Sequence, residues 1–551
     1  MRLIERRIGL LFAVFCVLLA AVFARAFWLQ AVRGGELQAE ASAQQTRSVV
    51  VPGHRGRILD RRGKELAVSE DAASVFATPY QVKDPAAAAA QLAPALGVPA
   101  AVLRQKLSKR ETGFAYLARK VDLAAAERVR RLDIDGIGVL PDSHRVYPQG
   151  ELAAQVIGAV GIDNQGLSGL ESGYESELHA TDGQRKVTRD ALGQTIEAKT
   201  VRGERTGDEL TLTLDAAIQD RTEKALAEIG GQYAPAGATA IVMDPRNASI
   251  LAMANWPPVN PSELKNVSQA DLQNRATGFT YEPGSTFKSF TVAAALQDGI
   301  VGPDTSFYLP PEIKVADRTI GEAHPRGAES LTVSQILAQS SNVGAVTVGL
   351  KLGAERFDPW IRRFGFGRQT GIGFPAEERG IVPSLRDYSG STMGNLPIGQ
   401  GLSVTPVQMA AGYAAIANGG TLRAPRLVTE LDDDPIEMPR GRRVLSTRTA
   451  RKVLTMLEGV LAPGGTASEV TVPGYELAGK TGTSEKAING VYSKTRFVAS
   501  FVGFAPARKP RLLVAIVVDE PKGDIYGGSV AAPAFGEIAG FALPYLRIPP
   551  D

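Results

Sequence analysis

One stretch of the sequence, Tyr281-Glu-Pro-Gly-Ser-Thr-Phe-Lys288, places a hydroxyl and an amine at a spacing that suits nucleophilic catalysis. Pro283 and Gly284 end the preceding element and an apolar-periodic run follows, so the pattern predicts a helix that begins at Ser285. Residues three apart share a helix face, and we therefore expect Ser285 Oγ and the Lys288 amine within hydrogen-bond reach. A lysine acts as a base only when neutral, so burial or a second cation should lower the pKa of Lys288.

Two further stretches carry groups that complement this pair. Ser340-Ser341-Asn342 follows a short apolar helical run, which places a hydroxyl and an amide together in a loop. Lys480-Thr481-Gly482-Thr483 supplies a second cation, two hydroxyls and a glycine at which backbone can approach a ligand closely. A lone S-x-x-K pattern is usually an N-cap followed by a solvated lysine. The ordered set S-x-x-K, S-x-N and K-T-G, however, is the signature of penicillin-binding proteins and serine β-lactamases.

The composition excludes several other classes of protein. The 551 residues include 61 basic and 58 acidic side chains, and a net charge of +3 gives no reason to expect nucleic-acid binding. The four histidines are scattered without metal-ligand spacing, and no G-x-S-x-G elbow is present. We therefore expect no metal, no other cofactor and no Ser-His-Asp triad. Hydrophobic residues make up 44% of the chain, which is enough for the cores of more than one domain.

A different motif overlaps the K-T-G stretch and indicates a rival enzyme class. Residues 474–481 fit the phosphate-binding pattern G-x-x-x-x-G-K-[ST], which would make the protein an exported ATPase or GTPase, a P-loop NTPase. A P-loop lysine must be followed directly by a helix whose N-terminus binds phosphate. Here Gly482 follows at once and Asn489-Gly490 indicates a hairpin, so the context disfavours nucleotide binding.

The N-terminus indicates the compartment. Basic residues precede an uncharged apolar run from Ile8 to Ala24, which aromatic residues continue, so the stretch is long enough to serve as a membrane span. The basic flank predicts a single-pass protein of the cell (cytoplasmic) membrane with its N-terminus inside and its catalytic domain extracytoplasmic. A cleaved signal peptide is the competing interpretation, since Ala24-Arg25-Ala26 loosely fits a cleavage site. The only cysteine, Cys16, lies in this run, so the exported part has no disulfide.

The order of the predicted elements gives the domain plan. Strand-like runs at both ends of 207–551 enclose a helical middle, which predicts an α+β domain with an antiparallel sheet flanked by helices. Residues 1–33 form a cytoplasmic tail and a transmembrane helix, and 34–206 form a stalk and a smaller elongated pedestal domain. Residues 34–48 predict a helical stalk. Arg55-Gly-Arg-Ile-Leu-Asp60 predicts part of a hairpin with solvent-facing charges and no chemistry.

Over almost its whole length the chain resembles a class B penicillin-binding protein. Besides the three motifs, the resemblance rests on Arg55–Asp60, Gly399-Gln-Gly401, Thr405-Pro-Val-Gln408 and Tyr526-Gly-Gly528. It implies one anchor, a dimerisation-like pedestal and a C-terminal transpeptidase domain, without the glycosyltransferase domain of bifunctional relatives. Tyr281–Ser285 and Tyr526–Gly528 are more similar to septal, cell-division members than to elongation members. The family also implies two kinds of membrane partner, a glycan polymerase and division-complex proteins.

The resemblance further implies a role for each catalytic motif residue. Ser285 would attack the carbonyl between the terminal D-alanines of a peptidoglycan stem peptide, and Lys288 would accept its proton. Ser340 would relay a proton to the departing D-alanine, while Asn342 would hold the Lys288 side chain and the substrate amide. An amine of a neighbouring stem peptide would then resolve the acyl-enzyme and complete a cross-link.

By the same resemblance, the K-T-G stretch would bind the substrate. Lys480, Thr481 and Thr483, with Gly482 between them, would hold the terminal carboxylate through charge-assisted hydrogen bonds. Lys480 would also lower the pKa of Lys288 from across the cleft. Backbone N–H groups of Ser285 and Thr483 would form the oxyanion hole. A β-lactam offers a strained amide and a carboxylate to the same groups, so β-lactams would be covalent inhibitors.

Several alternative activities share these motifs. A β-lactamase is disfavoured because Ser341 stands where class A enzymes carry Asp, and because no E-x-x-L-N stretch lies between Asn342 and Lys480 to supply their base. A D,D-carboxypeptidase uses the same three motifs and stays open, as does an elongation-type transpeptidase. A non-catalytic β-lactam sensor is a further alternative that the motifs do not exclude.

Overall fold

The computed structural model describes residues 2–33, 35, 46–189 and 195–551. The chain forms two compact units, each built from several segments. The smaller unit comprises Met1–His54, Asp71–His144 and Ala180–Gly207, and the larger unit comprises Arg55–Glu70, Arg145–His179 and Asp208–Asp551. The sequence predicts a single boundary, at residue 207, between the pedestal domain and the transpeptidase domain. In the structure, two segments of the predicted pedestal belong to the larger unit.

The chain begins with a long apolar helix. This helix spans Arg2–Phe27, and a π-helical turn, Trp28–Val32, extends it. Within the described residues, Ile4–Val32 is the one segment long and apolar enough to cross a membrane, and its 29 residues are not buried against the protein. An exposed apolar helix of this length fits a membrane anchor. The predicted helical stalk, 34–48, lies outside the described residues except for Gly35 and for 46–48, which belong to the strand Thr46–Val51.

The rest of the smaller unit combines an antiparallel sheet with a helical cluster. The three strands of the sheet are Thr46–Val51, Gly183–Arg189 and Thr195–Arg202. The helices of the cluster are Pro85–Leu96, Ala100–Leu107 and Leu123–Arg131, and the neighbouring strands are Ala115–Val121 and those parts of Glu65–Ala77 and Ile137–Val146 that lie within 71–144. Asp84 caps the first helix, Pro85 occupies its first position, and Gly97 ends it with a left-handed φ of +65°. Leu92, Leu103 and Leu117 are fully buried between these elements.

A five-stranded antiparallel sheet forms the centre of the larger unit. In spatial order its strands are Ser249–Trp256, Gly237–Asp244, Leu512–Asp519, Val491–Ala505 and Ala478–Ile488. Every residue of the middle strand is buried, so helices cover both faces of the sheet. The covering helices are Ala216–Tyr233 with Ala532–Tyr545, and Pro406–Ala417 with Thr447–Glu458; Lys288–Gln297 packs against Thr447–Glu458. This architecture confirms the predicted α+β fold with an antiparallel sheet flanked by helices.

Shorter elements connect these layers. The further helices are Ala154–Ile157, Gly169–Gly173, Glu175–Leu178, Gln269–Leu272, Arg275–Gly278, Val333–Ala338, Asn342–Leu352, Ala354–Arg363, Thr392–Asn395 and Gly527–Val530. The further strands are Ile58–Leu59, Leu210–Leu212, Ser306–Leu309, Glu312–Val315, Arg318–Gly321, Glu329–Thr332, Thr421–Leu422, Val428–Leu431, Asp434–Pro435 and Arg442–Arg443. Short 3-10 turns are Pro79–Gln81, Leu264–Asn266, Gly284–Phe287, Leu385–Asp387 and Leu396–Ile398. Two small hairpin-like sheets, within 306–332, therefore interrupt the predicted helical middle.

The prediction of solvent-facing charges near residue 55 holds for Arg57, which is exposed, but is wrong for Arg55 and Asp60, which are buried. The hairpin itself forms, because Ile58–Leu59 pairs with the strand that begins at Glu65. However, Arg55 is only 3% exposed and forms a buried ion pair with Glu171. Arg145 binds the other carboxylate oxygen of Glu171, at 2.7 Å. The prediction fails for Arg55 because its carboxylate partner, Glu171, lies more than a hundred residues away in sequence, and no local pattern indicates such a pair.

Candidate active site

Ser285 lies on a tight turn rather than in the first turn of an α-helix. Gly284–Phe287 form a 3-10 turn, and the α-helix, which we call the nucleophile helix, spans Lys288–Gln297. The prediction of a helix beginning at Ser285 is therefore wrong by one turn. Gly284 sets this turn with a left-handed φ of +53°, and a Cβ at that position would lie 2.8 Å from the carbonyl oxygen of Thr483. The Thr286 hydroxyl tightens the turn by donating to the Pro283 carbonyl at 2.7 Å.

The Lys288 amine is held by the S-x-N loop. Its nitrogen donates to the Ser340 carbonyl oxygen at 2.5 Å and to Asn342 Oδ1 at 2.6 Å, and it lies 3.3 Å from Ser340 Oγ. The two short bonds use both N–H donors of a neutral amine and leave its lone pair free to accept a proton. Among the hydrogen bonds of the described residues, none joins Ser285 Oγ to this amine, so the direct contact expected from the sequence is not formed.

Lys288 is buried at the start of the nucleophile helix, and its environment favours the neutral amine. Burial is the largest cause that lowers its pKa, which falls to about 7, and the Arg326 guanidinium lowers it further while the Glu322 carboxylate raises it. Lys480 is also fully buried, and burial together with the nearby Lys288 amine holds the pKa of Lys480 well below its usual value. The cation that lowers the pKa of Lys288 is thus Arg326, in the loop between the strands Arg318–Gly321 and Glu329–Thr332, and not Lys480 as the resemblance implied; the sequence did not indicate Arg326.

The S-x-N loop has a defined and strained backbone. Ser340 adopts a left-handed φ of +59°, which is unusual for a residue with a Cβ. Ser341 then caps the helix Asn342–Leu352 by accepting a hydrogen bond from the Gly344 amide at 2.9 Å. Because of this turn, the Ser340 carbonyl and the Asn342 side chain both face the Lys288 amine. Two polar residues separated by one position can therefore accept hydrogen bonds from the same nitrogen.

A carboxylate that the sequence did not reveal fixes this loop from behind. Glu322 accepts hydrogen bonds from the Ser341 hydroxyl at 2.7 Å and from the Asn342 amide at 2.6 Å. A carboxylate at a helix N-terminus satisfies free N–H groups and suits the helix dipole. Arg326 neutralises Glu322 at 2.6 Å and also donates to the Ser341 hydroxyl at 2.8 Å. Ser341, Glu322 and Arg326 therefore position Asn342, and of these only Ser341 belongs to a motif that spacing could identify.

The K-T-G residues lie on an edge strand of the central sheet, Ala478–Ile488. Lys480, Thr481 and Thr483 pair on one side with residues of Val491–Ala505. The Thr481 hydroxyl is 2.7 Å from the hydroxyl of Thr466, and Thr483 Oγ1 accepts a hydrogen bond from the Gly527 amide at 3.2 Å. The contact between Gly284 and the Thr483 carbonyl brings this strand against the turn that carries Ser285.

Gly482 is needed for packing within the protein. A Cβ at Gly482 would lie 2.3 Å from Ser500 Oγ and 2.9 Å from the Thr286 methyl carbon. The sequence predicted close approach to a ligand at this glycine, whereas these neighbours are protein atoms; a substrate contact by Gly482 stays a prediction. Lys480 and Thr481 continue in the same strand as Gly482, so no helix follows the lysine. The P-loop alternative is therefore wrong, because its phosphate-binding helix N-terminus does not exist here.

Together, a serine on a turn, a buried lysine at the first turn of a helix, and a K-T-G strand at the edge of an antiparallel sheet define the fold of the active-serine penicillin-recognising proteins. Comparison with known families agrees with this class. The family described as the penicillin-binding protein transpeptidase domain matches residues 238–540, and the penicillin-binding protein dimerisation domain matches residues 50–212.

Curated relatives and solved structures match nearly the whole chain. Stage V sporulation protein D of Bacillus subtilis is 36% identical over 98% of this chain and 85% of its own length. Peptidoglycan D,D-transpeptidase FtsI of Escherichia coli is 33% identical over 97% of this chain and 91% of its own length. The crystal structure of penicillin-binding protein 3 from Mycobacterium tuberculosis complexed with aztreonam is 30% identical, has a TM-score of 0.71, and matches over 91% of this chain and 98% of that one. The chain belongs to the class B penicillin-binding proteins.

Proposed function

We propose that the protein is a peptidoglycan D,D-transpeptidase that works through an acyl-enzyme on Ser285. The observation that carries this proposal is the state of Lys288, which lies on the helix that follows the Ser285 turn. Its amine is buried, has a pKa lowered to about 7, and donates hydrogen bonds to Ser340 and Asn342. At neutral pH a substantial fraction of this amine is uncharged and able to act as a base. Relatives named D,D-transpeptidase in Escherichia coli and Neisseria support the reaction class.

Acylation then uses each group in a defined way. Ser285 Oγ attacks the carbonyl between the terminal D-alanines as its proton passes to the Lys288 nitrogen. The amide C–N bond breaks, and Ser340 Oγ, 3.3 Å from that nitrogen, relays the proton to the departing D-alanine amine. Lys288 returns to its neutral state, and the peptide remains as an ester on Ser285. A lysine that stayed charged would stop this cycle at its first step.

The edge strand supplies binding and charge stabilisation. Lys480, Thr481 and Thr483 hold the substrate carboxylate, and Gly482 lets the strand lie against the Ser285 turn. Backbone N–H groups of Ser285 and Thr483 stabilise the oxyanion, and loss of one such donor typically costs about 10²–10³ in rate. An arriving carboxylate also favours the charged form of Lys480, whose amine is buried near Lys288.

The second half-reaction transfers the acyl group to an amine of a neighbouring stem peptide. The amine nitrogen attacks the ester carbonyl, the bond to Ser285 Oγ breaks, and the serine recovers a proton. A β-lactam ring opened by Ser285 keeps its leaving group tethered, so its ester persists and blocks the site. This accounts for inhibition by β-lactams, one of which occupies the related structure from Mycobacterium tuberculosis.

We further propose where the enzyme works. The basic residues before the apolar helix favour a cytoplasmic N-terminus and a transpeptidase domain outside the cell membrane. Similarity of its Tyr281–Ser285 and Tyr526–Gly528 segments to septal members supports a role in septal wall synthesis, with a membrane glycan polymerase and division proteins as partners. A tagged copy should gather at midcell; placement along the lateral wall would instead support the elongation alternative.

The catalytic proposal can be tested by labelling membranes with a fluorescent penicillin. The wild-type chain should form a covalent adduct for which ATP does not compete, and Ser285→Ala should abolish it. Ser262→Ala, a change of an exposed serine in the same unit, should label normally. Labelling of Ser285→Ala at the wild-type level would refute the assignment of the nucleophile.

Purified protein then distinguishes the open alternatives. With a stem-peptide thioester and a D-amino acid as acceptor, a transpeptidase should release the transfer product. Hydrolysis alone would indicate a D,D-carboxypeptidase, and neither product after normal penicillin labelling would indicate a sensor.

A further inference from the structure

A cavity lies beside the acylation site in the larger unit. It has a volume of about 890 Å³ and opens between the helices Val333–Ala338 and Thr447–Glu458. None of the residues to which a role in acylation is assigned above lines it, so it offers space that the proposed acylation step does not use.

The cavity adjoins both sides of the acylation site. Gln339 lines it and directly precedes Ser340, which contacts the Lys288 amine. Gly465 lines it and directly precedes Thr466, whose hydroxyl is 2.7 Å from that of Thr481 in the K-T-G stretch. A molecule in this cavity would therefore lie next to the groups that take part in acyl transfer.

The lining of the cavity is cationic. Arg448, Arg451 and Lys452 lie three and four positions apart on the helix Thr447–Glu458, so they share one face of it. Within the part of the chain that the structure describes, these three side chains form no hydrogen bond and no ion pair, and Asp304 is the only acidic residue of the lining. Three neighbouring cations repel one another unless an anion joins them, so the site favours a ligand with carboxylates.

We propose that this cavity binds the acceptor stem peptide, through its carboxylates, during the second half-reaction. The inference rests on the proposed transpeptidase function and names a site for its second substrate. The acceptor peptide carries carboxylates of its own, which complement the three unpaired cations of the lining. The departing D-alanine removes the donor's terminal carboxylate, so the acylated donor is held by its ester to Ser285, and an acceptor bound in the adjoining cavity has its amine within reach of that ester carbonyl. A new amide C–N bond forms, the ester C–O bond breaks, and the amine proton returns to Ser285 Oγ through Lys288.

The proposal is tested with the full-length chain in detergent, a stem-peptide thioester as donor and two matched acceptors. One acceptor is a stem peptide with free carboxylates, and the other is the same peptide with its carboxyl groups amidated. In the double variant Arg448→Glu/Arg451→Glu, the acceptor KM for the free-carboxylate peptide should rise about tenfold, while that for the amidated peptide should change little. The milder Arg451→Gln should raise the first KM about threefold. The rate of penicillin acylation should stay within about twofold of wild type, which shows that the fold and Ser285 are intact.

The control is Lys509→Glu, which reverses an exposed, unpaired cation away from the cavity and should alter neither KM. The acceptor site would be overturned if the double variant affected both acceptors equally, or if its effect did not exceed that of the control. An acidic segment of a partner protein would then be the better candidate to occupy the cavity. If the wild-type chain is acylated by penicillin but transfers to neither acceptor, the transpeptidase function itself fails, and the acceptor site fails with it.

Discussion

At the scale of single residues, the proposed acyl transfer depends on a balance of charges around Lys288. Burial alone would favour the neutral amine, but Glu322 lies close enough to raise the pKa of Lys288 again. Arg326 offsets that carboxylate, since it binds Glu322 at 2.6 Å and itself lowers the pKa of Lys288. The same carboxylate that orders the S-x-N loop can therefore be tolerated beside a lysine that must lose its proton.

This balance gives a pH dependence of definite sign. Because the pKa of Lys288 is about 7, the base is mostly protonated in weakly acidic solution and mostly neutral in weakly basic solution. The second-order rate constant for penicillin acylation should rise between about pH 6 and about pH 8 and then level off. Stopped-flow or labelling kinetics at several pH values would measure it. Lys288→Arg serves as the control and should not be acylated at any of these pH values, because arginine keeps the charge and cannot release its proton.

Variants of the paired residues should move this pH profile in opposite directions. Glu322→Gln removes the charge that raises the pKa of Lys288, so the rising limb should move to lower pH by about 0.5 to 1 unit. Arg326→Gln removes a charge that lowers the same pKa, so the limb should move to higher pH by a similar amount. Rates that fall in both variants without any shift of the limb would show that the pair acts only by holding the loop in place.

At the scale of elements, the sequence predicted the three motifs and the secondary structure around two of them but not the start of the nucleophile helix. The helical run predicted before the S-x-N loop is the helix Val333–Ala338, and the hairpin indicated by Asn489-Gly490 joins the K-T-G strand to the next strand, so local signals sufficed there. Ser285 lies instead on a 3-10 turn, because Gly284 must adopt a positive φ where the Thr483 carbonyl approaches it. Gly284 and Thr483 lie about two hundred residues apart in sequence, so no local pattern predicts their contact. Glu322 and Arg326 were missed for the same reason.

Gly284 therefore offers a test of the contact between the turn and the K-T-G strand. In Gly284→Ala, the left-handed backbone would cost about 1–2 kcal/mol, and the new Cβ, 2.8 Å from the Thr483 oxygen, would push Ser285 away from the strand. Acylation by penicillin should slow at least about tenfold, since small displacements of reacting groups are costly. Gly523→Ala is the matched control, because Gly523 has a φ of +88° with no atom within 4 Å of an added Cβ. It should lose similar stability in thermal unfolding while it keeps its acylation rate.

At the scale of the whole molecule, the larger unit gathers segments from distant parts of the chain. Its central sheet places the two strands of 237–256 beside the three strands of 478–519, and this antiparallel plan follows from strand patterns at both ends of the region. The sequence could not reveal that Arg55–Glu70 and Arg145–His179 belong to the same unit. These two segments meet at Glu171, which is fully buried and binds both Arg55 and Arg145. An ion pair of this kind specifies which segments come together, even where its net contribution to stability is small.

Removing the shared carboxylate should thus affect assembly of the larger unit rather than its chemistry. In Glu171→Gln, the buried Arg145 loses the carboxylate it binds while Arg55 keeps its pair with Glu175 at 2.7 Å, and the free energy of unfolding should fall by about 3–5 kcal/mol. Thermal or urea unfolding would measure this loss, and the folded fraction should still be acylated by penicillin with the wild-type rate constant, because Glu171 contacts none of the catalytic residues. Asp220→Asn removes a carboxylate from an exposed pair with Lys224 and should change stability by less than about 0.5 kcal/mol. If the two variants were equally stable, the buried cluster would not hold these segments together, and the packing of apolar residues such as Ile58 and Leu170 would have to do so alone.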